Sequence, residues 1–365
     1  MKVKHIITWG ALLVVALSVM GCSTGGENKA SASKEMAQIR FACLFFPLAD
    51  ISIDGQTALD DMVFPFISDY MDLSTGSHTL QVVSADGENG PAAQLEVKLE
   101  TGHHYLAVSY GNVSQKSDHA LKLIDETDYL SQINKDENLV LFLHLVNAAP
   151  GLDGYVQDQR VMENVSFGEA YFYHMPAGEV MTKMTPANLP GLVLYEDDTN
   201  SLPNTYTVVA VLGTILEPKI VYDITSNSNL VELFNGVASG EYFDYWQQML
   251  QQSGMAETLA GPGPFTVFAV WDSGFMDVAL DEINADPAKW QEIARYHIVP
   301  ERVPAYQLFH RSQLTTLQGS SLTVRSTDAK PYFTLNDSAQ VYQNYHASNG
   351  DFYEMDTLLI PPTQD

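Results

Sequence analysis

The chain has 365 residues, 45% of them apolar and 10% aromatic, enough to bury the cores of two or three domains and too many for a disordered polymer. Asp and Glu number 45 against 18 Lys and Arg, a formal net charge of −27. A field of that sign repels phosphate backbones and anionic headgroups, so nucleic acid is excluded as a partner and electrostatic docking on a membrane with it.

In chain order, Lys2 and Lys4 precede a mostly apolar run from Ile6 to Met20, which Gly21-Cys22 closes. A basic start, a short apolar core and a small residue before the cut describe a secretory signal, and the run is too short for a bilayer span. A cysteine directly after the small residue resembles the lipobox of bacterial lipoproteins. That resemblance implies cleavage after Gly21 and a lipid on Cys22. Ser23 beside it implies sorting to the outer membrane of a Gram-negative envelope. The expected organisation is therefore a lipoprotein signal peptide over 1–21 and a flexible, small and polar tether over 22–38. A lipidated Cys22 leaves Cys43 without an intramolecular disulfide. Cys43 lies in an apolar strand, Ile39 to Phe46, where nothing lowers a thiol pKa, so it reads as a buried structural thiol.

From Ile39 the pattern becomes short alternating runs, such as Thr79–Val83 and Gln94–Leu99, with turn chemistry at Asp54-Gly55, Asp86-Gly87 and Asn89-Gly90-Pro91. The pattern repeats. Phe41 and Phe142, Tyr70 and Tyr171, and Tyr105 and Tyr206 stand 101 apart, while Gly76 and Gly178, and Gly111 and Gly213, stand 102 apart. A fixed offset means a duplicated unit. Six or seven strands per copy predict two tandem β-sandwiches, over 39–138 and 139–226. Leu145-Val-Asn-Ala-Ala-Pro-Gly-Leu-Asp-Gly-Tyr-Val156, Phe167-Gly168, Tyr171 and Pro176-Ala177-Gly178 resemble a bacterial secreted immunoglobulin-like family of unknown function. The corresponding Leu44–Asp50 stretch of the first copy has degenerated from that pattern.

From Asn227 the period turns helical. Tyr242, Phe243, Trp246, Met249 and Leu250 share a predicted helix face, with Gly254 as its C-terminal cap. Asp286-Pro287 opens a second helix, whose face is Trp290, Ile293, Ala294 and His297. The segment Leu250–Ala269, Arg295-Tyr296-His297-Ile-Val-Pro300, Leu317-Gln-Gly-Ser-Ser-Leu-Thr-Val324 and Asn349-Gly350 followed by Met355–Pro361 resemble, in order, four blocks of fasciclin (beta-Ig-h3) domains. The resemblance implies an α+β fold over 227–365, a β-sandwich wedge with helices packed on it, after a mainly β amino-terminal part. One departure stands out: where the family has Pro-Thr before its Asp, this chain has Val270-Trp271. Asp272 can still cap the helix that follows.

In animal fasciclin domains the Tyr-His neighbourhood is a proposed adhesion epitope, which implies Tyr296 and His297 as contact candidates. The helix face turns His297 inward and leaves Tyr296 as the better contact; Trp271 changes the local surface. His103-His104 on one strand point to opposite sides, and Asp60-Asp61 and Asp86–Gly90 lack the calcium-loop spacing, so no metal site is expected. No nucleophile elbow, phosphate loop or paired-carboxylate context is present. The expected function is non-enzymatic and cofactor-free: adhesion, or binding of a surface protein or polysaccharide, from a lipid anchor. A periplasmic structural lipoprotein is the alternative; a hydrolase or small-ligand binder is the third reading.

Overall fold

A computed structural model describes residues 35–44, 48–84, 91–112, 115–147, 149–238, 242–276, 278, 286–327 and 333–362. Cys22 with the expected signal and most of the tether, and the Asp86–Gly90 loop, lie outside the described residues. Among the described residues no helix is long and apolar enough to cross a membrane.

The first sandwich is built from β1 (Met36–Cys43), β2 (Leu48–Ile53), β3 (Gln56–Val63), β4 (Met71–Ser74), β5 (Gly76–Ser84), β6 (Pro91–Leu99), β7 (His104–Asn112) and β8 (Gln115–Asp125). They form two sheets, β4-β1-β7-β8 and β3-β2-β5-β6. The tether ends earlier than expected, because Met36 already pairs with Ser74. The second sandwich comprises β9 (Glu137–His144), β10 (Leu152–Val156), β11 (Gln159–Val165), β12 (Ala170–Pro176), β13 (Gly178–Pro186), β14 (Tyr195–Ser201), β15 (Thr205–Gly213) and β16 (Pro218–Ser226). Its sheets, β12-β9-β15-β16 and β11-β10-β13-β14, repeat the strand order of the first. In both, the first strand runs parallel to the seventh.

The register lets the two sandwiches be aligned residue by residue. Phe41 faces Ala107 and Phe142 faces Val209, so β7 and β15 are offset by 102, as the glycines indicate. Tyr105 therefore corresponds to Thr207, and Tyr206 to His104; the 101-residue match of the two tyrosines is a coincidence of sequence. The consequence is physical. Tyr105 points into the first sandwich, whereas Tyr206 points out of the second, toward the first.

Strands β1 and β9 carry long apolar runs because each is covered on two sides. One side meets its own second sheet. The other meets the neighbouring sandwich, where Ala42, Leu44, Leu106 and Val108 pack against Leu139, Leu141, Leu143 and Val208. The sandwiches thus stack sheet on sheet instead of following one another like beads. Cys43 is fully buried in the first core.

The C-terminal unit adds β17 (Phe265–Val270), β18 (Ile298–Val299), β19 (Gln313–Thr315), β20 (Ser321–Ser326), β21 (Phe333–Leu335), β22 (Ala339–Ala347) and β23 (Gly350–Met355). Apolar β17 lies between β18 and parallel β23. A bridge from Thr225 of β16 to His346 of β22 joins this sheet to the second sandwich. Helices Leu230–Val237, Asp244–Gln252, Met255–Ala260 and Pro287–Tyr296 bury Trp246 and Trp290 against it. Asp286 caps the last of these through the Ala288 amide, with Pro287 at the first position. Gly254 takes the left-handed conformation expected after the Asp244 helix, at φ 72°. Tyr242, expected on that helix's buried face, precedes it and is 71% exposed.

Asn349 explains the Asn-Gly pair. Its Nδ2 donates to the carbonyls of Leu259 (2.8 Å) and Gly261 (2.7 Å), and its Oδ1 accepts from the Leu230 amide (2.8 Å). At Gly350, with φ 158°, a Cβ would come within 2.1 Å of the Phe265 carbonyl oxygen. Asn349→Asp replaces two donations with a carboxylate facing two carbonyls, and is expected to cost about 3 kcal/mol in urea unfolding.

Candidate functional site

The two residues of the Tyr-His segment are both internal. His297 is fully buried; its Nδ1 lies 2.9 Å from the Ile293 carbonyl, and its Nε2 accepts from the Leu359 amide at 3.1 Å. Nδ1 therefore carries the proton, and burial lowers the pKa to about 4. Tyr296, expected to face outward, is 3% exposed. Its hydroxyl donates to the Ser321 carbonyl and accepts from Asn336 Nδ2 at 2.9 Å. A helical wheel sees only the helix; the hairpin that contributes Ser321 and Asn336 comes from 25 to 40 residues later and covers this side.

Trp271 stands elsewhere. It directly follows β17, half-buried, with its ring 4.6 Å from that of Tyr342 and a hydrogen bond to Glu354. Asp272 does not cap its own short 3-10 turn. Its amide donates to the Tyr242 carbonyl, and its carboxylate accepts from the Tyr245 amide at 2.9 Å, capping the Asp244 helix from outside. This draws Tyr242, Tyr245, Trp271 and Tyr342 around one corner, with Met276 82% exposed nearby. Exposed aromatic rings with polar ends suit stacking against sugars or apolar side chains.

A second assembly was not foreseen. Arg40 lies mid-strand in an apolar run and is 3% exposed. It forms a two-pronged bond to Glu126 (Nη2 2.8 Å, Nε 3.2 Å) and a third to Asp223 (2.9 Å). The hydroxyls of Tyr70 and Tyr206 also donate to Glu126. Beyond Asp223, His346 bridges to it (3.2 Å) and to Asp351 (2.8 Å), which accepts from Arg302 at 2.8 Å. The chain of charges therefore runs from the first sandwich through the second into the C-terminal unit. Three cations face three anions. The flanking carboxylates push the His346 pKa up to about 10 against burial, and their cations hold Asp223 and Asp351 below the usual carboxylate range despite burial. Asp69, beside the same polar cleft of about 420 Å³, is raised by burial. The only sequence signal was the lone arginine between Ile39 and Phe41, since an arginine inside a buried strand implies a partner.

The metal-like groups have structural roles. Asp50, Asp60 and Asp61 approach one another, yet Asp50 accepts the Asp61 amide (2.9 Å) just as Asp153 accepts the Asn164 amide (2.8 Å) at the matching bulge of the second sandwich. His103 Nδ1 pairs with Asp125 at 2.7 Å, while His104 meets the Tyr70 ring edge-on.

Residues 241–361 match the family model of the fasciclin domain. The C-terminal unit is a fasciclin domain. Residues 37–144 match a domain of unknown function, DUF4397. That match falls on the first sandwich, whereas the signature residues quoted from the sequence lie in the second. Through its fasciclin domain the chain is similar to protein sll1483 of Synechocystis (24% identity, 40% of this chain, 82% of that protein). It is also similar to the cell surface glycolipoprotein MPB83 of Mycobacterium bovis (27%, 42% of this chain, 66% of that protein). Human Stabilin-1 matches at 27% over 35% of this chain, which spans 5% of that protein. Among solved structures, a domain pair from the insect cell adhesion molecule fasciclin I aligns with 45% of this chain and 71% of its own, at 15% identity and a TM-score of 0.33.

Proposed function

We propose that this chain is a non-enzymatic surface adhesin, held to an outer membrane by a lipid on Cys22, whose fasciclin domain binds a polysaccharide or protein of the cell surface or matrix. The observation that carries the reading is the exposed aromatic corner of the fasciclin domain, Tyr242, Tyr245, Trp271 and Tyr342. The cell-surface name of the mycobacterial relative supports it. The contact surface is thereby moved from Tyr296 and His297, which are interior, to the corner that Trp271 occupies. We also infer that the second sandwich is a second copy of the first, since strand order and register agree. Stacked on each other and tied by buried charges to the fasciclin domain, the sandwiches serve as a stiff base.

The test is attachment of cells carrying the full chain to a polysaccharide-coated surface. Tyr242→Ala with Tyr342→Ala is expected to lower attachment at least tenfold, because exposed tyrosines are frequent hot spots. Tyr296→Phe is expected to leave it unchanged. Attachment that survives the double substitution sinks the aromatic corner, and protection of the chain from protease added to whole cells sinks the surface placement.

A further inference from the structure

The two sandwiches share a scaffold but not a filling. Superposed by register, Leu80, Val97, Leu99 and Tyr105 of the first correspond to Thr182, Thr199, Ser201 and Thr207 of the second, and Ala37 corresponds to Asn138. All five first-sandwich residues are buried. Three large interior side chains are thus replaced by short hydroxyl-bearing ones, and Val97 by its polar isostere Thr199. At the rim the change runs the other way, since Met71, Ala93 and Leu123 become Tyr173, Tyr195 and Tyr222. Emptying the centre while enlarging the rim is not what loss of packing by drift produces; interiors are otherwise filled to crystal-like density.

The result is a cleft of about 130 Å³ between the sheets. Its upper part is closed by Phe142, Met162 and Met184, and its walls include Val140 and Val209. Its lower end is polar: Thr207 Oγ1 donates to Asn138 Oδ1 at 3.0 Å, and Thr199 stands across from them. On the same strand face as Thr199, the Ser201 hydroxyl is 1% exposed and finds no hydrogen-bond partner among the described residues. Along one edge the hydroxyls of Tyr195 and Tyr222 meet at 2.9 Å, joining the two sheets. Lys183 is the one cation lining the cleft, and its Nζ is held outside by Asp158 at 3.0 Å.

We propose that the second sandwich binds an uncharged amphiphile: a single apolar chain, seated among the methionines and valines, ending in a hydroxyl, ester or amide group at the Asn138–Thr199–Thr207 end. Flexible methionine walls adapt to a chain of variable shape. Among the described residues no cation is available to the cleft, and in a chain of net charge −27 this selects against a carboxylate head.

The probe is glycerol monohexanoate, whose short chain a cleft of about 130 Å³ can hold, titrated calorimetrically into the full chain below its micelle concentration, with hexanoate as the charged comparison. Saturable one-to-one binding is expected, at least tenfold tighter than hexanoate. Thr182→Leu with Thr199→Val restores the residues of the first sandwich and fills the cleft. That variant is expected to bind at least tenfold more weakly while unfolding at an equal or higher temperature, so weakened binding cannot be ascribed to misfolding. Non-saturable uptake by the native chain, equal affinity for hexanoate, or undiminished binding by the filled variant each overturns the proposal. If the filled variant unfolds, Tyr195→Phe, which opens the tyrosine pair at the edge, serves instead: it is expected to speed probe release, and an unchanged release rate counts against the site.

Discussion

Arg40→Met lowers the unfolding free energy by about 3–5 kcal/mol, the expected cost of removing one partner from a buried ionic network. Arg40 is the cation of Glu126 and one of two held by Asp223, and all three side chains are nearly inaccessible. Without it Glu126 keeps two tyrosine hydroxyls and no positive charge. Arg40→Lys keeps the charge but cannot reproduce three directed bonds to two carboxylates, so an intermediate loss is expected. Arg40→Met combined with Glu126→Gln and Asp223→Asn is expected to recover part of the loss, since no uncompensated charge then stays buried. Urea unfolding at neutral pH measures all three. A loss below about 1 kcal/mol for Arg40→Met would class the network with exposed ion pairs.

The second large effect is on pH dependence, where two buried histidines act in opposite directions. His297 has its folded pKa depressed from 6.5 to about 4. Its contribution is present above pH 6.5 and is lost as the pH falls toward 4, because the unfolded chain takes up a proton that the folded one refuses. One proton over that interval amounts to about 3 kcal/mol. His346 has its folded pKa raised to about 10. Its contribution is fully present below 6.5 and is lost as the pH rises through 10. Asp223 and Asp351, depressed in the fold, contribute above the ordinary carboxylate range and lose that contribution at lower pH still. Stability is therefore expected to peak near pH 6 to 7. Unfolding free energies measured from pH 4 to 10 test this, with His297→Gln flattening the acid limb and His346→Gln the alkaline limb. An acid limb unchanged in His297→Gln assigns that slope to other groups.

Local periodicity was informative wherever the cause of a structure lay within a few residues. The Asp286-Pro287 start, the Trp290–Ile293–Ala294 face and the glycine after the Asp244 helix depend on neighbouring backbone alone, and each is present. Tyr242 and Tyr296 depart from their expected exposure for one shared reason. The fate of a helix-end side chain depends on what arrives from elsewhere, and among the described residues a distant hairpin covers Tyr296 while Tyr242 stays 71% exposed. The tyrosine match across the repeat failed differently: identity of residue type ignores a one-residue slip, which turns a strand side chain to the opposite face.

By itself, then, the sequence determined the mainly β architecture, the fasciclin domain and the inward histidine, because turn chemistry, side-chain periodicity and motif order are written locally. The tertiary structure decided the rest. Only folding brings Arg40, Asp223 and His346, more than 300 residues from first to last, into one chain of charges. Only register shows that the second sandwich lacks the filling of the first. And only the packing of one corner of β17 makes Trp271, a departure from the family pattern, part of an exposed aromatic surface.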